Sequence, residues 1–96
     1  MRPSQSLARH RERGLALAAA RGASRVRVFS SVALDTDHEG SDLDLLVDAR
    51  AGTSLLDIVG LQFDIEDALG IKVDLCTENE LHPELKARVL AEARLL

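Results

Sequence analysis

Residues 40–48 read GSDLDLLVD, and the reading of that stretch decides the fold. Asp42 and Asp44 head an otherwise apolar run. Aspartate is depleted in strands because its short polar side chain favours turns and competes for backbone hydrogen bonds. Two aspartates one residue apart therefore need something that offsets their cost. The LDLLV core of this stretch, which carries Asp44, has the apolar continuity of a strand covered on both faces. The spacing predicts a strand over 42–48. A strand has a two-residue side-chain period, so Asp42 and Asp44 point the same way, with Cα atoms roughly 6.5–7 Å apart.

Working outward, Arg25–Ser30 (RVRVFS) alternates valine with arginine and predicts a strand before the aspartates. SVALDTDHEG between them is a turn-rich connector. Upstream, Ser6 to Arg21 reads as one helix, stopped by Gly22. Downstream, Thr53 is placed to cap a helix over Ser54–Leu69. Its apolar side holds Leu55, Leu56, Ile58, Val59, Phe63 and Ile65, and Gly70 ends it. Ile71–Cys76 (IKVDLC) predicts a third strand. Pro83 suits a first helical turn, and Glu84–Leu95 predicts a last helix with Leu85, Val89, Leu90 and Ala93 inward. The order is helix, strand, strand, helix, strand, helix. The expected fold class is α/β or α+β: a small mixed β-sheet flanked by helices, one domain over residues 1–96.

Composition narrows the function. A chain of 96 residues with 46% hydrophobic content has room for one core, and 2% aromatics makes that core aliphatic. Base-stacking platforms for single-stranded nucleic acid need aromatic faces that this chain lacks. Residues 1–27 hold seven arginines against Glu12, a balance of +6, while the remainder carries 5 basic and 15 acidic side chains, or −10. A body that acidic repels a nucleic-acid backbone, so no direct nucleic-acid binding is expected. The arginines read first as a solvated helix face. No apolar run reaches membrane-span length, no leader resembles a signal peptide, and Cys76 has no second cysteine, so a cytoplasmic setting without membrane attachment is expected.

The aspartates suggest a metal site. Carboxylates leaning together from one strand face can share a divalent ion or bracket two, and magnesium favours one or two carboxylates plus substrate phosphates. Asp74 offers a third carboxylate from VDL, where an unpaired buried charge costs several kcal/mol. Its structural alternative is a strand-edge residue paired with Lys72 or an arginine. All three aspartates break strand preference alike, which favours the metal reading. A calcium loop starting at Asp35 fails, because its twelfth position is Leu46 and its eighth is Asp42. His10, His38, His82 and Cys76 lack zinc-ligand spacing.

Phe29–Asp48, FSSVALDTDHEGSDLDLLVD, resembles the signature of the minimal nucleotidyltransferases, small members of the DNA polymerase β-like superfamily. Their pattern is a strand ending Phe-Gly-Ser, then x-Ala-Arg-Gly, a short gap, and Ser-Asp-x-Asp-hydrophobic, with a third aspartate on a later strand. The resemblance covers nearly the whole chain and implies a palm-like nucleotidyltransferase fold. It implies magnesium held by Asp42, Asp44 and Asp74, these three being the catalytic residues. It implies a nucleoside triphosphate, ATP, as donor to an acceptor hydroxyl, with Asp74 helping to remove the acceptor's proton. Ser31 matches the serine that holds the β and γ phosphates, Ser30 falls on the family glycine beside it, and Ser41 caps the turn before the aspartates. Family members of this size accompany a helical HEPN-type partner, the pair acting as antitoxin and toxin.

The chain departs from the pattern at three points. The glycine is Ser30, the arginine falls on Leu34, and the second glycine on Asp35. At about 5 Å and an effective dielectric near 20, each lost or reversed charge shifts phosphate affinity by roughly 3 kcal/mol before screening. An alternative expectation is therefore a catalytically weakened module of the same fold that acts by docking to its partner.

Overall fold

The computed structural model describes residues 2–34 and 36–96; Asp35, one of the departures from the family pattern, lies outside them. The elements run α1 (Pro3–Arg9), α2 (Arg11–Ala20), β1 (Ala23–Phe29), β2 (Leu43–Ala49), α3 (Leu55–Leu69), β3 (Val73–Thr77), a short 3₁₀ turn (Glu78–Glu80), α4 (Pro83–Glu92) and β4 (Arg94–Leu95). The sheet order is β3-β2-β1-β4. β2 pairs parallel with β3 and antiparallel with β1, and β4 pairs antiparallel with β1, so the sheet is mixed as expected.

Alternation along the strands divides the sheet into two faces. Val26, Val28, Leu43, Leu45, Val47, Val73 and Leu75 join Leu7, Ala18, Ile58, Leu61, Ile65 and Leu69 from the helices in one apolar cluster. Leu43, Leu45, Val47 and Leu61 are at most 1% exposed. A β-bulge between Ser24 and Arg27 sets the register of β1: Ser24 faces Asp48, but Arg27 faces Leu46 and Phe29 faces Asp44. Arg25 takes φ 47° there, the left-handed region, as the first residue of a G1-type bulge does.

Local chemistry explains the helix ends. Ser54, not Thr53, caps α3: its hydroxyl accepts from the Asp57 N–H at 3.2 Å, and its own N–H donates to the Asp57 carboxylate at 3.1 Å. Gly70 closes α3 at φ 70°. Ser6 Oγ donates to the Leu69 carbonyl at 2.6 Å and ties α1 to that end. The buried Asp37 carboxylate accepts the Ser4 N–H at 2.9 Å in the first turn of α1.

Three expectations change. The first helix is two helices that meet at His10. In α3 only Ile58, Leu61, Ile65 and Leu69 are buried, while Leu55, Leu56, Val59 and Phe63 are exposed. α4 buries no residue, and Leu85 and Leu90 are exposed rather than inward. It is tied to the sheet through β4 instead, while His82 caps its first turn by accepting from the Glu84 N–H. Among the described residues no helix is long and apolar enough to cross a membrane.

Candidate active site

The face of the sheet turned away from the core carries the polar residues. In-register pairing forms a row across three strands: Phe29 on β1, Asp44 on β2, Asp74 on β3. The next row is Arg27, Leu46, Cys76. Register partners share a face, and strands lie about 4.8 Å apart, so Asp44 and Asp74 are side by side. Asp42 precedes β2 by one residue, and the Leu43 N–H donates to the Lys72 carbonyl at 2.9 Å. The two-residue period puts Asp42 on the Asp44 side.

The electrostatics agree with this placement. Asp44 is half-buried and titrates above the ordinary carboxylate value. Burial is the main cause, followed by the charge of Asp74; the Ser30 hydroxyl opposes the shift by hydrogen bonding, and Asp42 adds to it. Three carboxylates thus act on one another with a single serine donor among them. Asp42 and Asp74 are exposed, and among the described residues neither forms an ion pair, with Lys72 or any arginine.

All donors here are hard carboxylate oxygens, the set that suits magnesium and not zinc. Among the described residues no three His, Cys, Asp or Glu side chains gather closely enough to hold a metal ion by themselves. Magnesium in phosphate-transfer sites takes one or two carboxylates and fills the rest with water and phosphate oxygens. The adjacent, unneutralised Asp44 and Asp74 fit that requirement.

The loop after β1 holds the three serines. Ser30 adopts φ 61°, the left-handed conformation that a glycine would take at no steric cost. Its carbonyl accepts from the Leu34 N–H at 3.1 Å, and that of Ser31 accepts from the Thr36 N–H at 2.8 Å, so the loop folds into one tight turn. Among the described residues the Ser31 hydroxyl has no partner within the chain. Ser41 closes the next turn: its hydroxyl accepts the His38 N–H at 3.0 Å and its own N–H donates to the His38 carbonyl at 2.9 Å. Leu34 is 49% exposed.

Arg27 is buried on the aspartate face, with Asp48 at 2.7 Å and Glu78 at 3.4 Å. Its charge is consumed there. Cys76 donates weakly to the Leu45 carbonyl at 3.7 Å, and burial, with the charges of Glu80, Asp74 and Asp44, pushes its thiol up to about 11. It is protonated and a poor nucleophile at neutral pH. The sequence reading did not single out Arg88 and Glu92, which line a cleft with Phe29, Ser30 and Leu34. The available signal was an acid in the last turn of a helix, against the dipole.

Residues 16–96 match the family model described as the nucleotidyltransferase domain. A Methanocaldococcus jannaschii protein named for protein adenylyltransferase activity is 46% identical over 72 residues, covering 75% of this chain and 77% of that one. A solved structure described as a minimal nucleotidyltransferase superposes with a TM-score of 0.87 at 46% identity, covering 97% of this chain and 95% of the other. A crystal structure of a toxin–antitoxin with AMP-PNP gives a TM-score of 0.71 at 19% identity, covering 97% and 71%, a likeness of fold. The chain belongs to the nucleotidyltransferase domain family and is an enzyme of that class. Within the class it is of the minimal type.

Proposed function

We propose that the chain transfers AMP from ATP to an acceptor hydroxyl, with magnesium held by Asp42, Asp44 and Asp74. The observation that carries this reading is the pairing of Asp44 with Asp74 on the open face, unneutralised by any cation of the chain among the described residues. The M. jannaschii relative's name supports the AMP donor and a protein acceptor. The toxin–antitoxin likeness supports a toxin partner, for which a HEPN-type protein is our expectation.

When bound, magnesium neutralises triphosphate charge and polarises the α-phosphorus. The chain's own residues do the rest. Asp42 and Asp44 would hold the ion that faces the triphosphate. The free Ser31 hydroxyl donates to the β and γ phosphates, and Ser41 holds the turn that delivers Asp42. Asp74 accepts the proton of the acceptor hydroxyl as its oxygen bonds to the α-phosphorus. The bond from that phosphorus to the leaving pyrophosphate breaks in the same displacement. The Ser30 hydroxyl stands near the Asp44 carboxylate and favours its charged form.

A second reading has its own support. Leu34 stands exposed where the family carries arginine, and Leu55, Leu56, Val59 and Phe63 leave an apolar flank on α3. A docking module with weakened chemistry would look this way. One experiment separates the two. The chain is incubated with magnesium and ATP labelled at the α-phosphate, with and without its genomic neighbour, and label on protein is measured. Label that vanishes in Asp42→Ala and Asp44→Ala supports transfer. Absence of label, with partner binding that survives both substitutions, supports the module.

A further inference from the structure

Beside the aspartates a cleft of about 270 Å³ opens between the end of β1 and α4. Phe29, Leu34, Leu85 and Val89 supply apolar walls, and Arg88 and Glu92 supply the polar atoms. Leu34 and Leu85 are 49% and 54% exposed, an apolar lining left open to water. Ser30 belongs both to this cleft and to Asp44, and Phe29 is the register partner of Asp44. Whatever fills the cleft is continuous with whatever lies on the aspartates. A larger cavity of about 450 Å³, between α1 and β4, includes none of the three aspartates.

Arg88 and Glu92 are paired at 3.2 Å across one helical turn. An exposed pair of this kind contributes little to helix stability. Glu92 also faces the negative end of the α4 dipole, a mildly unfavourable place for an acid. Stability does not account for the two residues. Together they present one donor and one acceptor at the edge of an apolar slot.

We propose that this cleft receives the base of the nucleoside triphosphate and that Arg88 and Glu92 read the base's edge. The proposal rests on the nucleotidyl-transfer reading above and adds to it the site of base selection. Adenine offers an amino donor beside a ring-nitrogen acceptor, which matches a Glu92 acceptor beside an Arg88 donor. Guanine offers two acceptors, N7 and O6, on the corresponding edge, and O6 would meet the Glu92 carboxylate. The flat apolar walls suit a purine face.

Calorimetric titration of the full chain with magnesium and ATP, GTP or inorganic tripolyphosphate tests this. The wild type should bind ATP more tightly than GTP. Glu92→Gln should cut that preference roughly tenfold, the discrimination of one base-edge contact. Val89→Trp, on a helix with no buried residue, should fill the slot, weakening ATP and GTP together while leaving tripolyphosphate unchanged. If both variants bind ATP and GTP as the wild type does, the base site is elsewhere and the transfer reading stands. If the wild type binds neither ATP nor tripolyphosphate, both fall together.

Discussion

The two faces of the sheet differ as a foundation differs from a workbench. On the helix side, Leu43, Leu45 and Val47 interlock with Ile58, Leu61 and Ile65 with almost no exposure. On the other side the same strand presents Asp44 and Asp48, with Asp74 alongside and a cleft under α4. Two aspartates sharpen the contrast. Asp37 is buried, yet donors from Ser4 and the charge of Arg2 outweigh that burial and hold its carboxyl below the ordinary value. Asp44 is only half-buried, yet burial and its like-charged neighbours push it up. Asp37 keeps its charge because Ser4 and Arg2 hold one carboxylate oxygen, although among the described residues the other, Oδ1, is buried without a partner; Asp44 has no cation beside it, and an added one would be welcome there.

Removing that charge should have the largest effect. Asp44→Asn should lower label transfer by about two to three orders of magnitude, as for loss of one preorganised electrostatic group. The same substitution should raise the melting temperature of the magnesium-free protein, because a repelled, desolvated charge is gone. A lower melting temperature would break the contrast between the faces. Leu61→Ala should do the reverse: about 2–5 kcal/mol less stability in urea unfolding, with specific activity of the folded fraction kept.

Ser30→Gly sharpens the comparison at the loop. It should relieve the left-handed backbone by roughly 1 kcal/mol while removing the hydroxyl that favours the charged form of Asp44. Urea midpoint and magnesium affinity, measured together, separate the two effects. Asp37 gives the smallest and most pH-specific effect. Its folded-state pKa lies below its unfolded value of about 3.8, so its contribution is present above that pH and is lost as pH falls further. Asp37→Asn should flatten the acid limb of the stability curve below about pH 4 by up to about 1 kcal/mol, read by unfolding at stepped pH.

Much of this arrangement could be read from the chain. Asp44 and Asp74 drew attention by sitting where strands avoid aspartate; the two-residue period related Asp42 to Asp44, but the side of Asp74 depended on the β2–β3 register, which no local pattern gives. β4 could not be read, because two residues have no period and exist as a strand only through pairing with Arg27 and Val28. The bulge at Arg25 was hidden by a clean arginine–valine alternation. α4 has the pattern of a packed helix, but the pattern reports only that one side is apolar, not that a partner lies beneath it. Ser30 looked like the loss of a glycine; its backbone keeps the glycine conformation, and the side chain gains a role on Asp44.

A helix that is tied to the sheet through the strand that follows it but buries none of its residues has an evolutionary consequence. Its sequence is released from the demands of packing, so substitutions along it accumulate at little risk to folding. If the cleft under it receives the base as proposed, changes in this one segment would alter substrate choice while the strands and aspartates stay as they are.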